Sequence, residues 1–272
     1  MAERATADPD RFLPLLRVRG GAVPRRMLVV GDPARAEQVA QRLDGGREIS
    51  HNREYALFAG RHRDVDVGVV SHGVGGSGAA VCFEELCRAG TERIVRAGTT
   101  GGMQPHVLDG ALVVATAAVR NEGFTSRLVP PAFPAVADVD VVLALRAAAA
   151  ASAQPVVEGV VLSSDLFYPH EVLGSDLMLW QRAGVVAVEM ECAALFVTAA
   201  LHGIAAGAIL AVDGNPLASG DDDMSGYDPR REVVTTAVEA MITVALDALV
   251  APGGWPGESA TAALSPARPA RR

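Results

Sequence analysis

The sequence is poor in aromatic residues and in cysteine, and it carries no excess of positive charge. Aromatics are only 4% of its 272 residues, too few for a platform on which single-stranded nucleic acid could stack. Formal net charge is -8, so no global basic field gathers polyanions. Any anion must be held by a local pocket. The three cysteines, Cys82, Cys87 and Cys192, are odd in number and lie in apolar runs. They read as reduced thiols of a cytoplasmic protein, not as a disulfide frame or a metal site. Residues 1–12 are polar and charged and lack the apolar stretch of a secretory signal. The longest apolar stretch, around 194–212, is interrupted by His202 and by glycines, which argues against a membrane span.

What is present is a chain that is 50% hydrophobic, enough for a substantial core. Short valine-rich runs alternate with helical patterns. Strands are expected at Met27–Val30, Val65–Ser71, Arg93–Ala97, Ala111–Val119, Val156–Ser163, Val185–Val188 and Ala206–Val212. Helices are expected at Ala34–Leu43, Gly78–Ala89, Val139–Ala151, Met190–His202 and Arg230–Leu249. This alternation predicts an α/β fold: one domain over 13–250, with a central mixed, mainly parallel sheet flanked by helices. A lead-in (1–12) and a Pro/Gly/Ala-rich tail (251–272) read as disordered. Ligands of such sheets sit beyond the carboxyl ends of the strands. Each motif below directly follows a strand.

Gly31-Asp32-Pro33-Ala34-Arg35 runs from a strand into a helix. A helix N-terminus with a nearby arginine suits a phosphate, although an ordinary strand–helix turn reads the same way. Arg96 sits in an otherwise apolar strand before Gly98, Thr99 and further glycines. A buried arginine needs an anionic partner, either a ligand or a structural carboxylate. Gly73–Gly78 contains a G-x-G-x-x-G pattern that invites a dinucleotide and a Rossmann-type oxidoreductase using NAD. The pattern comes after two earlier strands, however, and no ribose-binding carboxylate follows at the usual interval.

Glu189 and Glu191 lie in an apolar stretch where two carboxylates are costly unless paired. A ribose, with vicinal hydroxyl donors, could pair with one; a capped helix start is the alternative. Phe167 and Tyr168, beyond another strand, could stack on a base or fill a core. Asp213 ends an apolar strand. In an apolar pocket its carboxyl would hold a proton and act as a general acid, whereas Asp213-Gly214 is also a common turn pair.

In order, GDPAR (31–35), HNRE (51–54), SHGVGGSG (71–78), RAGTTGGMQPH (96–106), SSDLFYP (163–169), VEMECAAL (188–195) and VDGNP (212–216) resemble the nucleoside phosphorylase family. The similarity is to its hexameric purine nucleoside and uridine phosphorylase branch, and it spans Met27 to Leu249. It implies a sheet partly closed into a barrel and phosphorolysis of a nucleoside to base and ribose 1-phosphate in nucleotide salvage. Inorganic phosphate would be co-substrate, with no metal or organic cofactor and no nucleic-acid or membrane partner. Gly31, Arg35, Arg96 and Thr99 would hold phosphate. Arg53 would reach a neighbouring subunit's phosphate in a homohexamer built as a trimer of dimers. Met190 and Glu191 would bind ribose. Phe167, Tyr168 and Asp213 would meet the base, with Glu189 in support.

The resemblance divides over the base. Uridine phosphorylases read uracil with a Gln and an Arg where this chain has Glu171 and Leu173. VDGNP resembles the matching segment of apicomplexan purine nucleoside phosphorylases, so a 6-oxopurine is expected, with uridine as the alternative. Leu13 falls where the family places a His against the ribose 5′-hydroxyl. That makes 5′-deoxy or 5′-methylthio nucleosides a further alternative. A water-using nucleosidase is disfavoured by the presence of both Arg35 and Arg96, and a non-catalytic nucleoside- or phosphate-binding regulator is the remaining reading.

Overall fold

A computed structural model describes residues 8–170, 172–217, 227–228 and 230–252. In chain order the elements are β1 (Phe12–Leu13), β2 (Val18–Arg19), β3 (Arg26–Val30), α1 (Pro33–Ala40), β4 (Asp44–Asn52), β5 (Tyr55–His62), β6 (Val65–Ser71), α2 (Gly76–Ala89), β7 (Arg93–Gly102), β8 (Leu112–Asn121), α3 (Gly123–Leu128), β9 (Ala135–Val136), α4 (Val139–Ala149), β10 (Val156–Ser164), α5 (Leu177–Arg182), β11 (Ala187–Glu189), α6 (Cys192–His202), β12 (Ala205–Gly214) and α7 (Glu232–Val250). β1 and β2 form a small ribbon. The other ten strands form one sheet, in the order β11-β10-β8-β12-β7-β3-β6-β5-β4, with β9 on β8. β11 pairs a second time, antiparallel to β7, with Ala187 opposite Gly102. The circuit β7-β12-β8-β10-β11 therefore closes into a five-strand barrel, and β3, β6, β5 and β4 extend from it as an open arm.

The sheet is mixed. β3 is parallel to β6 and β7, β12 to β7, and β10 to β8 and β11. β12 runs antiparallel to β8, and β5 to both β4 and β6. β3 shows why its run is unbroken by polar residues. Met27 and Val29 join one apolar core, with Phe83 of α2 and Phe196 of α6. Leu28 and Val30 join the other, with Val39 of α1, Leu145 of α4 and Met241 of α7. Successive side chains point to opposite faces, and both faces are covered by helices.

α7 is long and apolar enough by composition to cross a membrane. Here Val234, Ala237, Met241 and Leu249 are buried against the sheet, making it a core helix. Its C-terminal carbonyls are held by Arg93 of β7, whose Nη1 donates to Ala248, Leu249 and Ala251 at 2.9–3.0 Å. A cation at that end suits the helix dipole.

Two regions differ from the sequence expectation. The β4–β5 hairpin arises from the mostly polar stretch Asp44–Asn52, which has no apolar run to announce a strand. β7 continues past Ala97 to Gly102, where glycines suggested a loop, because β12 and β11 both pair with this part of it.

Candidate active site

The first cluster is built on the end of β7 and the start of α6. The side chain of Arg96, only 4% exposed, lies across Gly98. A Cβ at Gly98 would fall 2.3 Å from Arg96 Nη1, so glycine there is what lets the guanidinium lie flat. Nη2 pairs with Glu191 and lies 3.3 Å from Glu189. Among the described residues, Nε and Nη1 are buried without a partner. Each such orphaned donor costs about 1–3 kcal/mol, so half the fork is held open at a price in stability.

Glu191 accepts from Arg96 through Oε2 and from the Gly75 backbone N–H through Oε1, at 2.6 Å. Gly75 has φ 93°, and that left-handed turn aims its N–H at the carboxylate. The glycine-rich loop thus clamps a side chain of its own fold. Burial alone would raise the Glu191 carboxyl. The Arg96 charge, His72 and these hydrogen bonds outweigh it and hold the group below the usual carboxylate range. Burial likewise opposes the charge on Arg96, yet Glu191 and Glu189 raise it above its ordinary value.

Glu189, expected in support of the base side, is engaged with the chain itself. Its carboxylate accepts from the Glu191 N–H at 2.8 Å, the Cys192 N–H at 2.9 Å and the Ser163 hydroxyl. It caps the first turn of α6 and so aims Glu191. His72 is a polar group the sequence reading did not single out. Burial depresses it to about 4, so the ring is neutral. Nδ1 lies 2.9 Å from the Gly73 carbonyl, which marks it as the protonated nitrogen, and Nε2 is buried without a partner among the described residues.

Arg35 enters from the first turn of α1, whose N-cap is Asp32, with its side chain accepting from the Ala34 N–H at 2.9 Å. Burial lowers the Arg35 guanidinium, with Asp32 opposing and the Arg96 charge adding to the depression. Asp213 and Tyr227 also act on it. Among the described residues it has no hydrogen bond or ion pair. Two guanidiniums with unfilled donors are therefore close enough to repel, an arrangement an anion between them would relieve. Gly31 lies beside this loop, and its carbonyl accepts from the Gly73 N–H at 3.0 Å.

Asp213, near the end of β12, is also buried. Burial raises its carboxyl, against the opposing effects of hydroxyl hydrogen bonds from Tyr227 and Thr99 and the charge of Arg35. Arg35, Arg96, Thr99, Glu191 and Asp213 are thus linked in one chain of charges and hydrogen bonds. Met190 is half-buried, with its carbonyl against Gly76 of α2.

Four other expected site residues lie elsewhere in this chain. Arg53 is exposed at the β4–β5 turn, with φ 55°, outside its own chain's cluster. Phe167 and Tyr168 are 47% and 76% exposed and pack edge to face on one another at 4.8 Å. This excludes the core-packing alternative for both. Leu13 is 1% exposed and belongs to the core with Leu16 and Phe83. Glu85 accepts from the Leu15 and Leu16 N–H groups at 2.9 and 2.7 Å and fastens that segment inward. Leu173 is exposed, and Glu171 lies outside the described residues.

A sequence model of the phosphorylase superfamily matches residues 25–251. A purine nucleoside phosphorylase of Plasmodium falciparum is 36% identical over 88% of this chain and 96% of its own length. A uridine phosphorylase of Treponema pallidum is 38% identical over 80% of this chain and 89% of its own. The crystal structure of the Toxoplasma gondii purine nucleoside phosphorylase in complex with immucillin-H superposes with a TM-score of 0.82 at 34% identity, covering 87% of this chain and 94% of that one. The chain belongs to the phosphorylase superfamily and is an enzyme of its nucleoside phosphorylase kind, a pentosyltransferase.

Proposed function

We propose that the chain phosphorolyses a 6-oxopurine ribonucleoside, such as inosine or guanosine, to the free base and ribose 1-phosphate. The observation that carries this reading is the opposed pair of buried carboxyls beside two partly unpartnered guanidiniums: Glu191 ionised, Asp213 able to hold a proton. Phosphate sits between Arg35, the free side of Arg96 and Thr99, near Gly31, with the Thr99 hydroxyl turning from Asp213 to the anion. The ionised Glu191 accepts from the ribose hydroxyls, with Met190 alongside the sugar. As the bond from C1′ to N9 breaks, its electron pair passes to the base, and Asp213 delivers a proton to N7. A phosphate oxygen then bonds to C1′. Fixed charges aimed at an oxocarbenium-like sugar and its attacking anion supply electrostatic and proximity stabilisation. Proton delivery adds about 10²–10⁴-fold.

The exposed Arg53 at the β4–β5 turn supports a site completed by a neighbouring subunit, and with it a homohexamer of three dimers. Phe167 and Tyr168, left in solvent, are available to a base or a neighbour. No metal or organic cofactor is required by this chemistry, and a cytoplasmic place in nucleoside salvage suits the substrates. A phosphorolysis assay over inosine, guanosine, adenosine, uridine and methylthioadenosine, with and without phosphate, tests the proposal. Phosphate-dependent cleavage fastest on a 6-oxopurine supports it. Faster cleavage of uridine than of every purine overturns the base, and turnover without phosphate overturns the reaction.

A further inference from the structure

We infer that Tyr227 is a positioning residue for the acid of this reaction: its hydroxyl occupies Asp213 Oδ2 and so leaves the transferable proton to Oδ1. The inference rests on the reading of Asp213 as the group that protonates the leaving base.

Tyr227 lies just ahead of α7, with its ring over Gly214, where an added Cβ would come within 3.7 Å of it. Its hydroxyl donates to Asp213 Oδ2. Four residues on, Arg231 donates from Nη2 to the Asp213 backbone carbonyl at 2.7 Å. Its Nη1 reaches Asp109 at 2.6 Å. The approach to α7 thus grips Asp213 by side chain and backbone together. The other polar or charged groups acting on the carboxyl are Arg35 from α1 and the Thr99 hydroxyl from β7.

The bare oxygen of a protonated carboxyl is the better acceptor of its two, so accepting from a phenol favours leaving that oxygen without the acid proton. With Oδ2 so engaged, a protonated Asp213 holds its hydrogen on the other oxygen, in one orientation. Burial and the neighbouring carboxyl both keep the phenol itself in its protonated, donating form. The same hydrogen bond favours the ionised carboxylate, so it opposes the effect of burial on Asp213.

The test compares inosine with 7-methylinosine, whose base is already cationic and departs without taking a proton. In Tyr227→Phe, kcat on inosine should fall about tenfold, with KM changed less than about threefold. The limb on which activity falls with rising pH should move to higher pH, because the lost donor no longer stabilises the carboxylate. Turnover of 7-methylinosine should stay within about twofold of the parent, which also shows that the variant is folded. An equal loss on both substrates, or a loss on neither, overturns the inference. Asp213→Asn run in parallel separates the two claims. If Asp213→Asn discriminates between the substrates and Tyr227→Phe does not, only the role of Tyr227 falls. If Asp213→Asn treats both alike, the acid reading falls with it.

Discussion

Glu191 and Asp213 are two buried carboxyls of one polar cluster, and their surroundings push them in opposite directions. Burial acts on both with the same sign, against the charged form. Glu191 meets a guanidinium and a backbone N–H, and these overcome it. Asp213 meets two hydroxyls and a more loosely coupled Arg35, and these do not. The kind of donor decides the outcome: charge-assisted bonds are roughly twice as strong as neutral ones. The proposed purine phosphorolysis uses this split, with one carboxylate to accept from a sugar and one acid to serve a leaving base.

Several changes would break or sharpen the contrast. Arg96→Ala removes it from the Glu191 side, leaving Glu191 and Glu189 buried without their cation. Stability measured by urea unfolding should drop about 3–5 kcal/mol. Phosphorolytic kcat/KM should fall on the order of 10³-fold, as loss of a preorganised charge does. Asp213→Asn removes the other side and should cut inosine turnover about 10²–10⁴-fold in a steady-state assay. Gly98→Ala is milder. The new methyl displaces the Arg96 guanidinium from its bed, so KM for phosphate should rise about tenfold, at a cost of about 1–3 kcal/mol in thermal or urea unfolding.

The smallest effect is in stability against pH. The folded Glu191 carboxyl lies below its unfolded value, so its contribution is present above about pH 4.3 and lost as pH falls through the folded value. Asp213 has the reverse sign. Its folded carboxyl lies above the unfolded value of about 3.9, so the native state loses stability as pH rises from there through the raised folded value. Asp213→Asn should therefore melt about 1–3 °C higher than the parent at neutral pH and no higher at pH 3, a trade of stability for function.

The positions of Arg35, Arg96, Glu191 and Asp213 were legible because each lies in or just after a strand of a sheet whose ligand edge is known from the alternation alone. Arg96 and Glu191 were further marked as charges in apolar runs. That Arg96 would bind both a carboxylate of its own site and leave donors open was not legible, since it depends on the side chain folding back over Gly98. Glu189 and Glu191, two residues apart, look alike in sequence; only the cap on α6 separates their duties. The burial of Leu13 was not legible either, because it depends on Glu85, about 70 residues away, fastening its segment. Tyr227 gave no signal either, being brought to Asp213 across 14 residues of chain without a regular pattern. Long-range polar contacts of this kind leave no period to read.

The contrast between the two carboxyls can be measured directly by following their side-chain ¹³C resonances through a pH titration of the free enzyme, with Glu191→Gln and Asp213→Asn to assign them. The account predicts that Asp213 titrates above the ordinary aspartate value of about 3.9 and Glu191 below the ordinary glutamate value of about 4.3. Both groups titrating together below about 4 would leave no acid for the base and contradict it.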